Sequence, residues 1–163
     1  MEITLLAVGR LRPALREACD DYTRRISRHA RFTEIEVREA ARAPSPALQR
    51  EQEAVRLRAR LPAGAVVVAL AREGQGWTSE ALAARLRDWQ VAARPLAFMI
   101  GGSHGLDASL LGTAAERWSL GPATLPHELA RVVVAEQIYR AFTILRGEPY
   151  HKGAPGGKPH PRG

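Results

Sequence analysis

Two stretches, "AVVVALA" at residues 65–71 and "PLAFMI" at 95–100, are apolar almost without interruption. A strand with one wet face alternates apolar and polar residues, so an unbroken run rich in β-branched residues must be covered on both faces. Sheets covered on both faces are built from parallel strands joined by crossover helices. The rest of the chain supplies those partners. Residues 2–8 predict a strand, 13–29 a helix, 32–38 a strand with alternating polarity ("FTEIEVR") and 46–61 a charged amphipathic helix. A helix at 78–93 opens at the Thr78 and Ser79 capping region; a helix at 107–116, a strand at 117–120 and a long helix at 127–145 follow. The strict alternation of strand and helix predicts an α/β fold, a mainly parallel sheet with helices on both faces and the two apolar runs at its centre.

Each apolar run leads into glycine at its carboxyl end, "AREGQG" after the first and "GGSHGL" after the second. Open α/β sheets place ligands at those strand ends. Neither loop carries a known phosphate-binding signature. A P-loop needs Lys-Ser or Lys-Thr after its last glycine, where this chain has Leu106 and Asp107, and only Gly9 follows the first strand, where a Rossmann fingerprint needs three glycines. The loop at 98–106, "FMIGGSHGL", is therefore either a tight turn requiring positive φ or a surface that a ligand approaches too closely for a Cβ.

Two further segments bear on that choice. "SLGPATLPHELARVVVAEQIYRAF", residues 119–142, enters a helix through Pro126 and His127, with Pro126 suited to a first helical turn, and carries Glu136 and Arg140 four residues apart. That pair is either a patch at the mouth of a site or an intrahelical ion pair worth only about 0.3–0.5 kcal/mol. "RGEPYHK", residues 146–152, gathers arginine, tyrosine, histidine and lysine, a combination that can stack on a base, hold phosphate and move a proton, or can be an exposed basic terminus.

Composition narrows the partners. Of 163 residues, 24 are basic and 17 acidic, and only Lys152 and Lys158 are lysines, so the net charge of +7 is almost all guanidinium. Arginine grips phosphate with a planar fork, which points to RNA or DNA; the competing reading is a charge that only maintains solubility. The single cysteine, Cys19, excludes an internal disulfide and any cysteine-rich zinc site. The apolar runs are too short to cross a bilayer, and the N-terminus reads as a strand with no secretion signal, so a cytosolic protein is expected. One domain is expected over residues 1–152, and the Gly/Pro-rich tail at 153–163 is expected to be disordered.

"LLAVGRLR" at the start, "FMIGGSHGL", and "LPHELARVVVAEQIYRAFTILRGEPYHK" at the end, with their separations, closely resemble the RlmH family of the SPOUT superfamily of methyltransferases. The resemblance runs from Met1 to Lys152. It implies a SPOUT-type α/β fold with a C-terminal deep trefoil knot, a homodimer, S-adenosylmethionine as methyl donor, and no metal. The implied reaction is N3 methylation of a pseudouridine in the large-subunit 23S rRNA, on the assembled ribosome.

Carried across position by position, the resemblance puts cofactor binding at Leu70 and Gly101 and along Leu120, Gly121, Pro122, Ala123, Thr124 and Leu125, and the close-approach argument for the glycine loop adds the backbone of Gly102 and Gly105. For the implied reaction, the chemistry of the base selects His151, supported by Tyr150 and Lys152, with Arg140 and Glu136 shaping the pocket. N3 of the base must lose a proton before it is a good nucleophile. His151 is the first choice of base and His127 the second, with a cation steadying the anion that forms. Where relatives often carry an acid or amide, this loop has His104, which is left without a role. The rival expectation is an RNA-binding factor without chemistry.

Overall fold

The computed structural model describes residues 1–152, with side chains through Tyr150; the expectation for 153–163 lies outside the described residues. Strands and helices alternate as β1 (Glu2–Val8), α1 (Pro13–Ile26), β2 (Arg31–Val37), α2 (Pro46–Arg60), β3 (Val66–Gly76), α3 (Ser79–Ala92), β4 (Leu96–Ile100), α4 (Ala108–Thr113), β5 (Glu116–Ser119) and α5 (His127–Leu145), ending in a 3-10 turn at Pro149–Lys152. Helix starts follow from local chemistry. Ser45 accepts from the Leu48 N–H and Thr78 from the Ala81 N–H, both at 3.1 Å, and Pro13 and Pro46 occupy first-turn positions. Pro126 caps α5 from outside, with ψ of 139°, one residue before the first-turn position expected for it.

All strand pairs are parallel, in the order β2-β1-β4-β3-β5. As expected, β4 is the middle strand and β3 lies beside it, but β3 is less covered than expected: every residue of β4, and of β1 except Glu2, is buried, whereas in β3 only Val68 and Ala69 are. The cause lies in length: β4 covers β3 only from Val66 to Ala69, and the remainder of β3 has only the four-residue edge strand β5 beside it.

The "AREGQG" segment also departs from the loop expected there. The strand continues through it, with a register break in which Trp118 pairs with both Leu70 and Gln75, so residues 71–74 bulge out of the ladder. Gly74 is fixed by this geometry, since a Cβ there would sit 2.7 Å from the Arg117 backbone.

Helices cover both faces. One core joins α1, α3 and α5 to the sheet through Cys19, Leu86, Phe98, Trp118 and Ile138. The other seats α2 and α4 through Leu57, Met99 and Leu110. No described helix is long and apolar enough to cross a membrane.

Candidate functional site

The carboxyl ends of β4 and β5, with β3 at Leu70–Arg72 where its bulge begins, open onto a cavity of about 650 Å³, whose far wall is the start of α5. The middle wall is the glycine turn. Gly105 donates to the Gly102 carbonyl at 3.0 Å and has φ of +76°, a value that favours glycine. A Cβ on Gly101 would lie 2.4 Å from the Gly105 carbonyl carbon. Closure of the turn therefore already requires two of its three glycines, whether or not a ligand approaches. Leu106 and Leu110 bury the far side of the turn, and Asp107 accepts from the Ser109 N–H at 3.0 Å to start α4.

The third wall follows β5. Ser119 Oγ accepts from the Gly121 N–H at 3.2 Å, and Gly121 has φ of +119°. Trp118 stands at its base, stacked on Trp77 with ring centroids 5.3 Å apart.

Of the cofactor positions expected from sequence, Leu70, Gly101, Gly102, Gly105, Leu120, Gly121, Ala123, Thr124 and Leu125 all line this one cavity, and Pro122 does not. Arg72, Ser103, His104 and His127 line it as well. Arg72 is a residue that sequence reasoning passed over, although the signal was present: it is the first charge after a buried strand run.

The predicted catalytic residues gather elsewhere. Arg140 donates to Glu136 Oε1 through Nε at 3.0 Å and through Nη2 at 2.6 Å, and the Tyr150 hydroxyl donates to the same oxygen at 3.1 Å. The Arg140 guanidinium also lies over the Tyr150 ring, 5.0 Å from its centroid. The intrahelical ion pair is therefore formed, with Tyr150 added to it. Burial first, then Tyr22 and the negative charge of Glu136, raise the Tyr150 phenol above its ordinary range, so it stays protonated and acts as a donor. His151 and Lys152 lie in the final 3-10 turn, and their side chains are outside the described residues. The nine-residue step from His127 to Glu136 along α5 corresponds to roughly 14 Å of helix. Glu136, Arg140 and Tyr150 do not line the cavity, whereas His127, the second candidate base, does.

The first turns of α5 anchor the cavity to the sheet. Glu128 Oε1 accepts from the Arg12 N–H at 2.6 Å. Arg131, 1% exposed, donates to the Gly9 carbonyl at 2.9 Å, to Glu34 at 3.0 Å and to Glu36. "LLAVGRLR" and "LPHELARV" meet through these contacts, and neither Glu128 nor Arg131 was singled out from sequence.

Residues 1–151 match the family described as "Predicted SPOUT methyltransferase". Two proteins named ribosomal RNA large subunit methyltransferase H match over nearly the whole chain. The one from Gemmatimonas aurantiaca is 49% identical over 93% of this chain and 100% of its own, and the one from Rubrobacter xylanophilus is 51% identical over 91% and 96%. The chain belongs to the RlmH family of SPOUT methyltransferases. A solved structure of a probable methyltransferase from Bordetella pertussis shares the fold, with a TM-score of 0.50 at 15% identity, covering 86% of this chain and 95% of that one. For an RlmH member, the cavity at the strand ends and the Glu136–Arg140–Tyr150 cluster are thus two separate features of one chain, joined by α5.

Proposed function

We propose that this RlmH-family chain transfers a methyl group from S-adenosylmethionine to N3 of a pseudouridine in large-subunit 23S rRNA, on the assembled ribosome in the cytoplasm. What carries the reading is the convergence of three sequence-remote segments, at Leu70, Gly101 to Gly105 and Leu120 to Leu125, on a single cavity. The cavity fits the donor: its volume lies within the usual range for small-molecule sites, and Leu70, Ile100, Trp118 and Leu120 give apolar walls interrupted by bare backbone. When bound, S-adenosylmethionine supplies an activated methyl group on a sulfonium.

The chain's own contribution is positioning and proton transfer. The walls named above hold the donor. An imidazole removes the N3 proton, His151 in the first instance and His127, which lines the cavity, in the second. Arg140, Lys152 and the Tyr150 hydroxyl steady the negative charge left on the flanking carbonyl oxygens. Glu136 keeps Arg140 and Tyr150 in place.

The same reading includes a single domain over residues 1–152, a C-terminal deep trefoil knot and a homodimer. The separation of cavity from cluster gives the dimer a purpose, because one subunit's cluster can complete its partner's cavity. Leu129 of α5 is exposed, which leaves an apolar residue of that helix for a partner surface.

The test is transfer of labelled methyl to ribosomes that lack the modification, with the product nucleotide located by mass spectrometry of nuclease fragments. Methylated pseudouridine in the large-subunit RNA is the expected product. Salt-sensitive RNA binding without transfer, or methyl on another nucleotide, would sink the proposal.

A further inference from the structure

Behind the glycine turn, on the side away from the cavity, stands a buried acid that the mechanism does not use. Glu53 of α2 is 2% exposed. Among the described residues, its Oε2 accepts one long bond, from the Ala40 N–H at 3.4 Å, and its Oε1 is buried with no hydrogen-bond partner. Gly102 separates it from the cavity: Gly102 lines the cavity, and a Cβ on Gly102 would lie 3.5 Å from both Glu53 oxygens. A buried carboxylate with an unpaired oxygen is costly to a fold unless a positive charge compensates it.

Among the described residues, no acid lines the cavity. Its charged and titratable lining residues are Arg72, His104 and His127, in a chain of net charge +7. Glu39 is also close to the turn, accepting from Ser103 Oγ at 3.5 Å, but it is exposed and screened by solvent. Glu53, buried directly behind Gly102, is separated from the cavity by backbone, and a charge held there would act through a low-dielectric medium, where electrostatic attraction is strongest.

We propose that Glu53 is a specificity-determining residue that makes the cavity prefer the cationic methyl donor to its neutral thioether product. This rests on the donor site proposed above and adds a direction to it. Transfer removes the sulfonium charge, so the attraction from Glu53 falls when the methyl group leaves, and product release is favoured over product retention.

Calorimetric titration of the full chain tests this with S-adenosylmethionine, S-adenosylhomocysteine and an analogue carrying an amine in place of the sulfonium. Wild type is expected to bind both cations more tightly than the thioether. Glu53→Gln, which keeps shape and removes charge, is expected to weaken the two cations about fivefold or more while moving the thioether less than twofold. Equal loss for all three ligands, or no loss, would overturn the proposal. Should Glu53→Gln fail to fold, the wild-type comparison still decides, because absence of a preference for the cations refutes it. Folded wild type that binds none of the three would refute the donor site itself.

Discussion

Replacing Arg131 with methionine removes a buried cation at the point where α5 is fastened to the sheet. The guanidinium holds Glu34 at 3.0 Å, Glu36, and the carbonyl oxygens of Gly9 at 2.9 Å and Val8 at 3.4 Å. Breaking a buried ion pair from one side costs about 3–5 kcal/mol, since the partner charge stays behind without compensation. Here Arg16 still donates to Glu34 at 2.9 Å, which moves the expectation to the lower end, and the Gly9 carbonyl left without its donor adds about 1 kcal/mol. A loss of about 3–4 kcal/mol is a large part of the roughly 5–15 kcal/mol that stabilises an ordinary domain.

Urea unfolding at neutral pH measures this, with unchanged m-value as the sign that the unfolding reaction is the same. Arg140→Ala, at a partly exposed i,i+4 pair, serves as comparison and is expected to cost only about 0.5 kcal/mol from the ion pair. The cause can be checked by a double-mutant cycle. Arg131→Met in a Glu34→Gln background should cost at least 1 kcal/mol less than in wild type, because the carboxylate it would strand is already neutral. A loss below about 1 kcal/mol, or simple additivity with Glu34→Gln, would refute the view that Arg131 acts by pairing buried charge.

Three other outcomes are expected. Gly101→Ala, which would bring a Cβ to 2.4 Å from the Gly105 carbonyl carbon, should abolish donor binding in calorimetry, whereas Gly102→Ala, whose nearest contact is the Val8 Cγ1 at 3.1 Å, should weaken it less; the reverse order would contradict the turn geometry. Burial alone would raise the Glu34 pKa, but the Arg16 hydrogen bond and charge, followed by those of Arg131, hold it below its ordinary value of 4.5. Glu34 therefore adds stability above that ordinary value which is lost as pH falls through its folded value, and Arg131→Met should flatten the acid limb of a plot of unfolding free energy against pH. Mixing a Glu136→Ala, Arg140→Ala chain with a Gly101→Ala chain should restore methyl transfer if cavity and cluster come from different subunits, and mixtures as inactive as their parents would place both in one.

The sheet was legible because burial on two faces leaves an unmistakable run of apolar residues, as in β4. The same rule misjudged β3, since "AVVVALA" records what a strand can tolerate and not how far its neighbours extend. The bulge through residues 71–74 was hidden for a related reason: glycine and polar residues mark loops and irregular strand ends alike. At the site, position was easier to read than purpose. The glycines of "FMIGGSHGL" signalled a backbone constraint, but only coordinates show that Gly101 answers to Gly105. Glu53 and Arg131 gave no signal at all, because each is an ordinary charge on a helix until the other elements close over it.

Those two buried charges explain why one end of this sheet can hold a shaped cavity. Strand ends and glycine turns are weakly held by their own contacts, so the walls need fastening from outside. Arg131 ties the α5 wall to the ends of β1 and β2 through the Gly9 carbonyl, Glu34 and Glu36. On the other face of the sheet, α2 reaches the β2–α2 loop at Ala40 through Glu53, directly behind Gly102. A helix on one face alone could fix one wall but not the other. Covering both faces, the property announced by the apolar runs, is thus also what lets the sheet's carboxyl edge be braced from two sides while its mouth stays open.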